Sequence, residues 1–95
     1  MKIQARFETA ARESAVREVA VISRVLTDLV RTVQLIETDI AAEEVRAGIS
    51  DRSDVRYPIL ARTLIDRRDN LKATIAALEQ RYTERALPEQ VATAA

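Results

Sequence analysis

Six carboxylates crowd the middle of the chain, and they are the residues with the most obvious capacity for chemistry: Glu37, Asp39, Glu43, Glu44, Asp51 and Asp54. Glu37 and Glu44 fall on the same side of a helix, as the ligands of carboxylate-bridged metal sites in helical bundles do. Those sites also use a Glu-x-x-His pattern, and the chain contains no His. We therefore expect a solvated acidic cluster and no metal site.

Two of the side chains most used in catalysis are missing from the chain, because it contains neither Cys nor His. The commonest general base and the commonest nucleophilic thiol are both absent, so a Ser-His or Cys-His arrangement cannot be built. The segment Asp51–Asp54 also lacks the glycine and the terminal Glu of a calcium-binding loop. The sequence predicts a protein that is not an enzyme and uses no cofactor.

The charge balance bears on the class of partner. Fifteen basic and fifteen acidic residues cancel, which removes the overall attraction that nucleic-acid and anionic-membrane binders show. Charges interrupt every apolar run near the N-terminus, which therefore predicts neither a signal peptide nor a membrane span. We expect a cytoplasmic protein with protein partners. Lys occurs only at Lys2 and Lys72, and this preference for Arg indicates a GC-rich bacterial genome.

Two apolar seams predict the elements that carry these residues. The first steps by four and three, as a heptad pattern does, through Ala15, Val19, Ile22, Leu26, Leu29, Val33, Ile36 and Ile40. It predicts a helix over about residues 2–47, ending at Gly48, the only glycine and a residue suited to a left-handed cap.

The second seam follows a short polar connector over residues 48–54, in which Ser50 and three further Ser or Asp residues can cap a helix. It runs through Tyr57, Ala61, Leu64, Arg68, Leu71, Ile75, Leu78 and Tyr82. It predicts a helix over about residues 55–86, stopped at Leu87-Pro88, with residues 88–95 as a flexible tail. The fold class is all-α, with residues 1–87 forming a long, antiparallel, coiled-coil-like helical hairpin.

Apolar residues beside the seams predict self-association into a four-helix bundle. One neighbouring helix cannot cover an arc this wide, and a small single core usually needs such support. We therefore expect a homodimer. The candidate dimer surface consists of Val16, Val21, Val25, Val30, Leu35, Leu60 and Ile65. In the alternative, the chain is a monomer whose N-terminal segment folds back over the extra valines as a third helix.

The unequal helix lengths single out the N-terminal segment. A second helix that ends near Arg85 leaves about 16 residues of the first helix as an overhang of roughly 24 Å. Its apolar residues, Ile3, Phe7, Ala10 and Ala11, form a candidate surface for an unidentified protein partner. The interpretation is a non-enzymatic protein–protein interaction module, a small adaptor or chaperone-like protein.

Charged residues of the second helix support two further hypotheses. Arg68 occupies a seam position, and Glu37 is the best-placed partner across the hairpin for a buried polar key that sets the register. The alternative function is a nucleic-acid-binding regulator that uses the basic residues of this helix, including Arg62, Arg67 and Lys72. Acidic residues interrupt that basic set, so nucleic acid is not the expected partner.

Overall fold

Two long antiparallel helices make up the structure, as the sequence predicts. The computed structural model describes the backbone of residues 2–94 and the side chains of residues 6–86. Helix α1 spans Lys2–Ala47 and helix α2 spans Ile59–Ala94, and the described residues form no strand. The molecule measures 70 × 21 × 15 Å. The all-α helical hairpin is therefore confirmed.

The core is a single narrow seam between the two helices. Its buried hydrophobic residues are Ile22, Val33, Ile36, Ile40, Tyr57 and Ala61, all of them predicted seam positions. Most of the other predicted seam residues are half-buried, but Tyr82 is 38% exposed and belongs to the surface. Residues at the same level have numbers that add to about 101 in this antiparallel register, as for Tyr57 with Glu44.

The C-terminal end of α1 is closed by the glycine that the sequence singled out. Gly48 has a φ of 70°, its N–H donates to the Val45 carbonyl at 3.2 Å, and the Ile49 N–H donates to the Glu44 carbonyl at 3.3 Å. This pair of bonds is the Schellman motif, which satisfies carbonyls that have no partner at a helix end. The turn of the hairpin therefore begins where local chemistry requires it.

The start of the second helix was predicted too early, at residue 55 instead of Ile59. Asp54 does not cap the helix; its Oδ1 accepts from the Arg56 N–H at 2.8 Å and closes a local turn. Pro58 disfavours the helical conformation at Tyr57, and the Pro58 carbonyl accepts the first helical bond, from Arg62 at 3.1 Å. The connector is therefore residues 48–58, longer than the predicted 48–54.

At each end of the chain, the structure departs from an expectation drawn from the sequence. Helix α2 continues past Leu87-Pro88 to Ala94, because a proline removes one backbone bond without forcing a helix to stop. The predicted tail at 88–95 lies outside the described side chains. At the other end, α1 begins at Lys2, so the alternative of a third helix folding back is wrong. An overhang of about 16 residues required α2 to end near Arg85, and it does not.

The cap gives a direct test of the hairpin turn. The substitution Gly48→Ala lowers the free energy of unfolding by about 1 kcal/mol, because a Cβ atom disfavours a φ of 70°. No atom lies within 4 Å of the added Cβ, so the effect comes from the backbone alone. Denaturation in urea measures it. Gly48→Asn lowers the free energy of unfolding by less, because Asn tolerates a positive φ better than Ala does. A decrease in the control Ser50→Ala as large as that in Gly48→Ala would contradict the role of Gly48 as the helix cap.

Candidate interaction surfaces

Large apolar side chains remain exposed on the hairpin after the seam is formed. The exposed set contains Phe7, Val16, Val21, Val25, Val30, Leu35, Val45, Val55, Ile59, Leu60 and Tyr82. Six of the seven residues of the predicted dimer surface are among them, and the seventh, Ile65, is half-buried. The hairpin therefore leaves an apolar surface open beside its core on which another molecule can pack.

The predicted dimer surface is divided between two opposite flanks of the hairpin. Val25 and Val30 are separated by about 140° around α1 and lie on either side of the seam. Helical spacing puts Val21 with Val25, and it puts Val16 near Val30. The seven residues of the predicted dimer surface therefore do not form one patch. Leu35 lies on neither flank but toward the side of α1 that faces away from α2.

The first flank, here the groove flank, is an open apolar trough between the helices. It is lined by Val30, Val33, Gln34, Lys72, Ile75, Ala76 and Glu79. A second depression continues it along α1, past Ser23, Thr27 and Arg31 to Tyr82. Ile65 lies on this side as well, because it precedes Lys72 by two helical turns. This flank has an apolar floor with a few polar groups at its rim.

The second flank, here the ion-pair flank, is bridged by charges. The Arg81 guanidinium reaches across from α2 to the Glu18 carboxylate at 2.6 Å, and Arg85 approaches the same carboxylate at 3.4 Å. The hydrogen bond from Arg81 and the positive charge of Arg85 hold the pKa of Glu18 below its usual value. Val21 and Val25 lie on this flank beside the charges.

Part of the predicted N-terminal partner surface continues the ion-pair flank. Phe7 and Val25 are about five helical turns apart and therefore share a face, and Ala11 lies one turn after Phe7 on that face. Phe7 is 76% exposed, and Ala10 and Ala11 are exposed as well. Ile3 lies outside the described side chains. An apolar stripe therefore runs along one side of α1 from Phe7 to Val25. It is interrupted by Glu18, which is ion-paired with Arg81 and Arg85.

The predicted polar key is only half present. Arg68 is in the seam, with 16% of its side chain exposed, but its guanidinium pairs with the neighbouring Asp69 at 3.1 Å. Glu37 is exposed, and no ion pair joins it to Arg68. A short local contact satisfies the arginine at the rim of the seam, so the pair predicted across the hairpin is replaced by one within α2.

An unpredicted contact joins the connector to the end of α1. The Tyr57 hydroxyl donates to Glu44 Oε2 at 2.8 Å, and the Tyr57 ring is buried with 2% exposure. The Arg62 guanidinium lies 5.3 Å from the centre of that ring and donates to the Asp54 carbonyl at 2.9 Å. The heptad pattern placed Tyr57 in the seam and indicated no partner for its hydroxyl. A polar tip on a seam residue opposite an acidic helix end was the available signal.

The acidic cluster is used for local structure. Asp51 Oδ1 accepts from the Ser53 N–H at 2.9 Å, Asp54 pairs with Arg56 at 3.1 Å, and Glu43 pairs with Arg46 at 2.6 Å. Within the described part of the chain, no group of three or more acidic residues is arranged to hold a metal ion. These carboxylates close turns and neutralise cations near the helix end.

Internal pairing also engages four of the eight basic residues of the connector and α2. Arg56, Arg68, Arg81 and Arg85 form ion pairs with carboxylates of the same chain. Such pairs compete with phosphate for the guanidinium groups. No observation favours a nucleic-acid interface on this helix, and that alternative stays a prediction.

Comparison with known proteins finds no family model, curated protein or solved structure that matches the chain. Within the described residues, neither helix has a stretch apolar and long enough to cross a membrane.

The buried tyrosine predicts a loss of stability at alkaline pH. Burial raises the pKa of the Tyr57 hydroxyl above the usual 10.0, and the hydrogen bond to Glu44 raises it further. The folded chain therefore holds this proton to higher pH than the unfolded chain does. The stabilisation is complete below pH 10.0 and is lost as the pH rises through the raised pKa.

Thermal unfolding at a series of pH values from neutral to above the usual tyrosine pKa measures this effect. Tyr57→Phe lowers the melting temperature at neutral pH, because the bond to Glu44 is lost, and flattens the alkaline decrease. Tyr82→Phe is the matched control, because this ring is 38% exposed. An alkaline decrease of the same size in Tyr57→Phe as in the native chain would refute the assignment.

Proposed function

We propose that the chain is a non-enzymatic protein–protein interaction module that pairs with itself and packs against a helix of another protein. The observation that carries the proposal is the exposed apolar surface on both sides of a fully formed seam. A helix with apolar residues on a face that its own chain leaves open is suited to pack against another helix. The proposal places this activity in the cytoplasm of a bacterium, as the sequence patterns favour.

The ion-pair flank is the proposed surface for the partner protein. Its apolar stripe includes Phe7, Ala11, Val21 and Val25, and a large exposed aromatic residue such as Phe7 is a typical anchor of an interface. Glu18 is already paired with Arg81 and Arg85, so covering its carboxylate leaves no acidic group without a partner. A partner helix with apolar residues at heptad spacing fits this stripe.

Placing a charge on the stripe tests the proposal. Phe7→Asp and Val25→Asp each reduce partner capture roughly tenfold or more, because an unpaired carboxylate is then buried in the contact. The measurement compares proteins cross-linked to the tagged chain in cells, quantified by mass spectrometry.

Ala42→Asp is the matched control, because it adds the same charge at an exposed position on the back of α1. Circular dichroism verifies that all three variants remain helical. Recovery of the same proteins in the same amounts with both stripe variants would contradict the proposal.

A further inference from the structure

The groove flank carries a regular pattern of charge on α1. At steps of three and four residues, the row that faces this flank is Arg12, Val16, Ala20, Ser23, Thr27, Val30, Gln34 and Glu37. The positions of this row from Val16 to Gln34 are uncharged in a chain of which 32% is charged, with Arg31 at the edge of the depression beside them. A basic residue begins the row and an acidic residue ends it, and neither forms an ion pair within the described residues.

A second row lies beside it on α2. Lys72 and Glu79 are two helical turns apart on the same rim of the groove, with the small residue Ala76 between them. The two charged groups are exposed and form no ion pair in the described part of the chain. Each row therefore has opposite charges placed on either side of an uncharged centre.

Such a row is complementary to a second copy of itself in the antiparallel direction. A twofold axis across two antiparallel helices places each residue opposite the one equally far on the other side of the axis. Arg12 and Glu37 face each other across copies when the axis lies midway between residues 24 and 25. Lys72 and Glu79 do so when the axis lies midway between residues 75 and 76.

The two midpoints lie at one level of the hairpin. In the register set by Tyr57 with Glu44 and by Arg81 with Glu18, the middle of the α2 row is level with about residue 25 of α1. One axis therefore satisfies both rows at once. Two charge pairs that are independent in sequence agree on its position.

The geometry points to a homodimer in which two hairpins meet through their groove flanks, with α1 antiparallel to α1 and α2 antiparallel to α2 of the second copy. Lys72 of each copy then faces Glu79 of the other, Arg12 faces Glu37, and Ala76 lies at the axis. To within one residue of this axis, Val16 lies opposite Gln34, Ala20 opposite Val30 and Ser23 opposite Thr27, so no charge is buried against an apolar residue in these rows. The Thr27 hydroxyl already donates to the Ser23 carbonyl at 3.0 Å and needs no partner from outside.

The other arrangement of two groove flanks fits less well. With the axis parallel to the helices, the uncharged α1 row of one copy covers Lys72 and Glu79 of the other. Both charges then lose water and gain no partner, which is unfavourable. The charges therefore favour the arrangement in which α1 contacts α1, and α2 contacts α2, of the second copy.

Charge reversal tests the proposed dimer, with molar mass by light scattering as the measurement. We expect the native chain to show twice the mass of the 10.6 kDa monomer. Lys72→Glu and Glu79→Lys each weaken the dimer roughly tenfold or more, because each turns two attractive contacts into two repulsive ones. An equal mixture of the two variants restores the doubled mass, since the new glutamate of one chain then faces the new lysine of the other. Arg67→Glu is the control, an exposed reversal away from the groove flank.

A cysteine at the axis gives a second and independent measurement, because the native chain contains none. Ala76→Cys forms a disulfide-linked dimer in air, since two antiparallel helices in contact at small residues bring these positions within disulfide range. Ala77→Cys, which points away from the groove flank, is the control. Disulfide linking at equal rates in the two variants overturns the proposal.

The reversal experiment has outcomes that overturn the proposal as well. They are a native chain that is monomeric at all concentrations, single reversals that leave the mass unchanged, and a mixture that does not associate. The inference rests on the proposed function in that it specifies the self-pairing. None of its variants touches the Phe7 to Val25 stripe, so a monomeric native chain that still captures partners would refute the dimer alone.

Discussion

The narrow seam between the two helices limits how much apolar surface the hairpin can bury. Each helix presents one strip of side chains to the other, and only a few residues there are buried, such as Ile36, Ile40 and Ala61. Apolar residues next to that strip, such as Val25 and Val30, stay open to solvent whatever the stability of the hairpin. A third surface is needed to cover them, and the chain folds no third helix from its described residues.

Charge distinguishes the two flanks that the seam leaves open. On one flank the chain pairs Glu18 with two arginines of α2, so this carboxylate has its partners within the hairpin. On the other, Lys72 and Glu79 stand at the rim of an apolar groove without such pairs. A surface with complementary charges left open has a preferred orientation for its partner, whereas a neutralised apolar stripe selects mainly by shape. The two flanks are therefore suited to different kinds of contact.

The seam and the Gly48 cap were predicted correctly, whereas the start of α2 and the partner of Arg68 were not. The seam and the Gly48 cap follow from heptad spacing and from one residue's backbone freedom. The predicted start of α2 is wrong because Asp54 closes a turn instead of capping a helix, while Pro58, four residues later, restricts Tyr57. Arg68 was placed in the seam correctly, but its partner depended on which carboxylate its side chain could reach.

The candidate surface was misjudged for a related reason. The heptad pattern predicts one widened arc of apolar residues beside the seam, although these residues lie on both of its sides. The angle of about 140° between Val25 and Val30 is available from their numbers alone. The residues of α2 that lie on the same flank as Val25 or as Val30 cannot be read from the sequence numbers. They depend on how α2 is rotated about its own axis, which the groove and the Glu18 ion pairs show.

The two proposals have a joint consequence for how the protein would act. A twofold pairing through the groove flanks turns the ion-pair flanks outward on opposite faces of a four-helix bundle. Each Phe7 to Val25 stripe then remains open, and the dimer presents two identical stripes that run in opposite directions. A partner with two copies of the complementary helix, on a linker long enough to pass around the bundle, would bind far more tightly than a single helix, because its second contact is intramolecular. Self-association would in this way determine the valency with which the chain binds its partner.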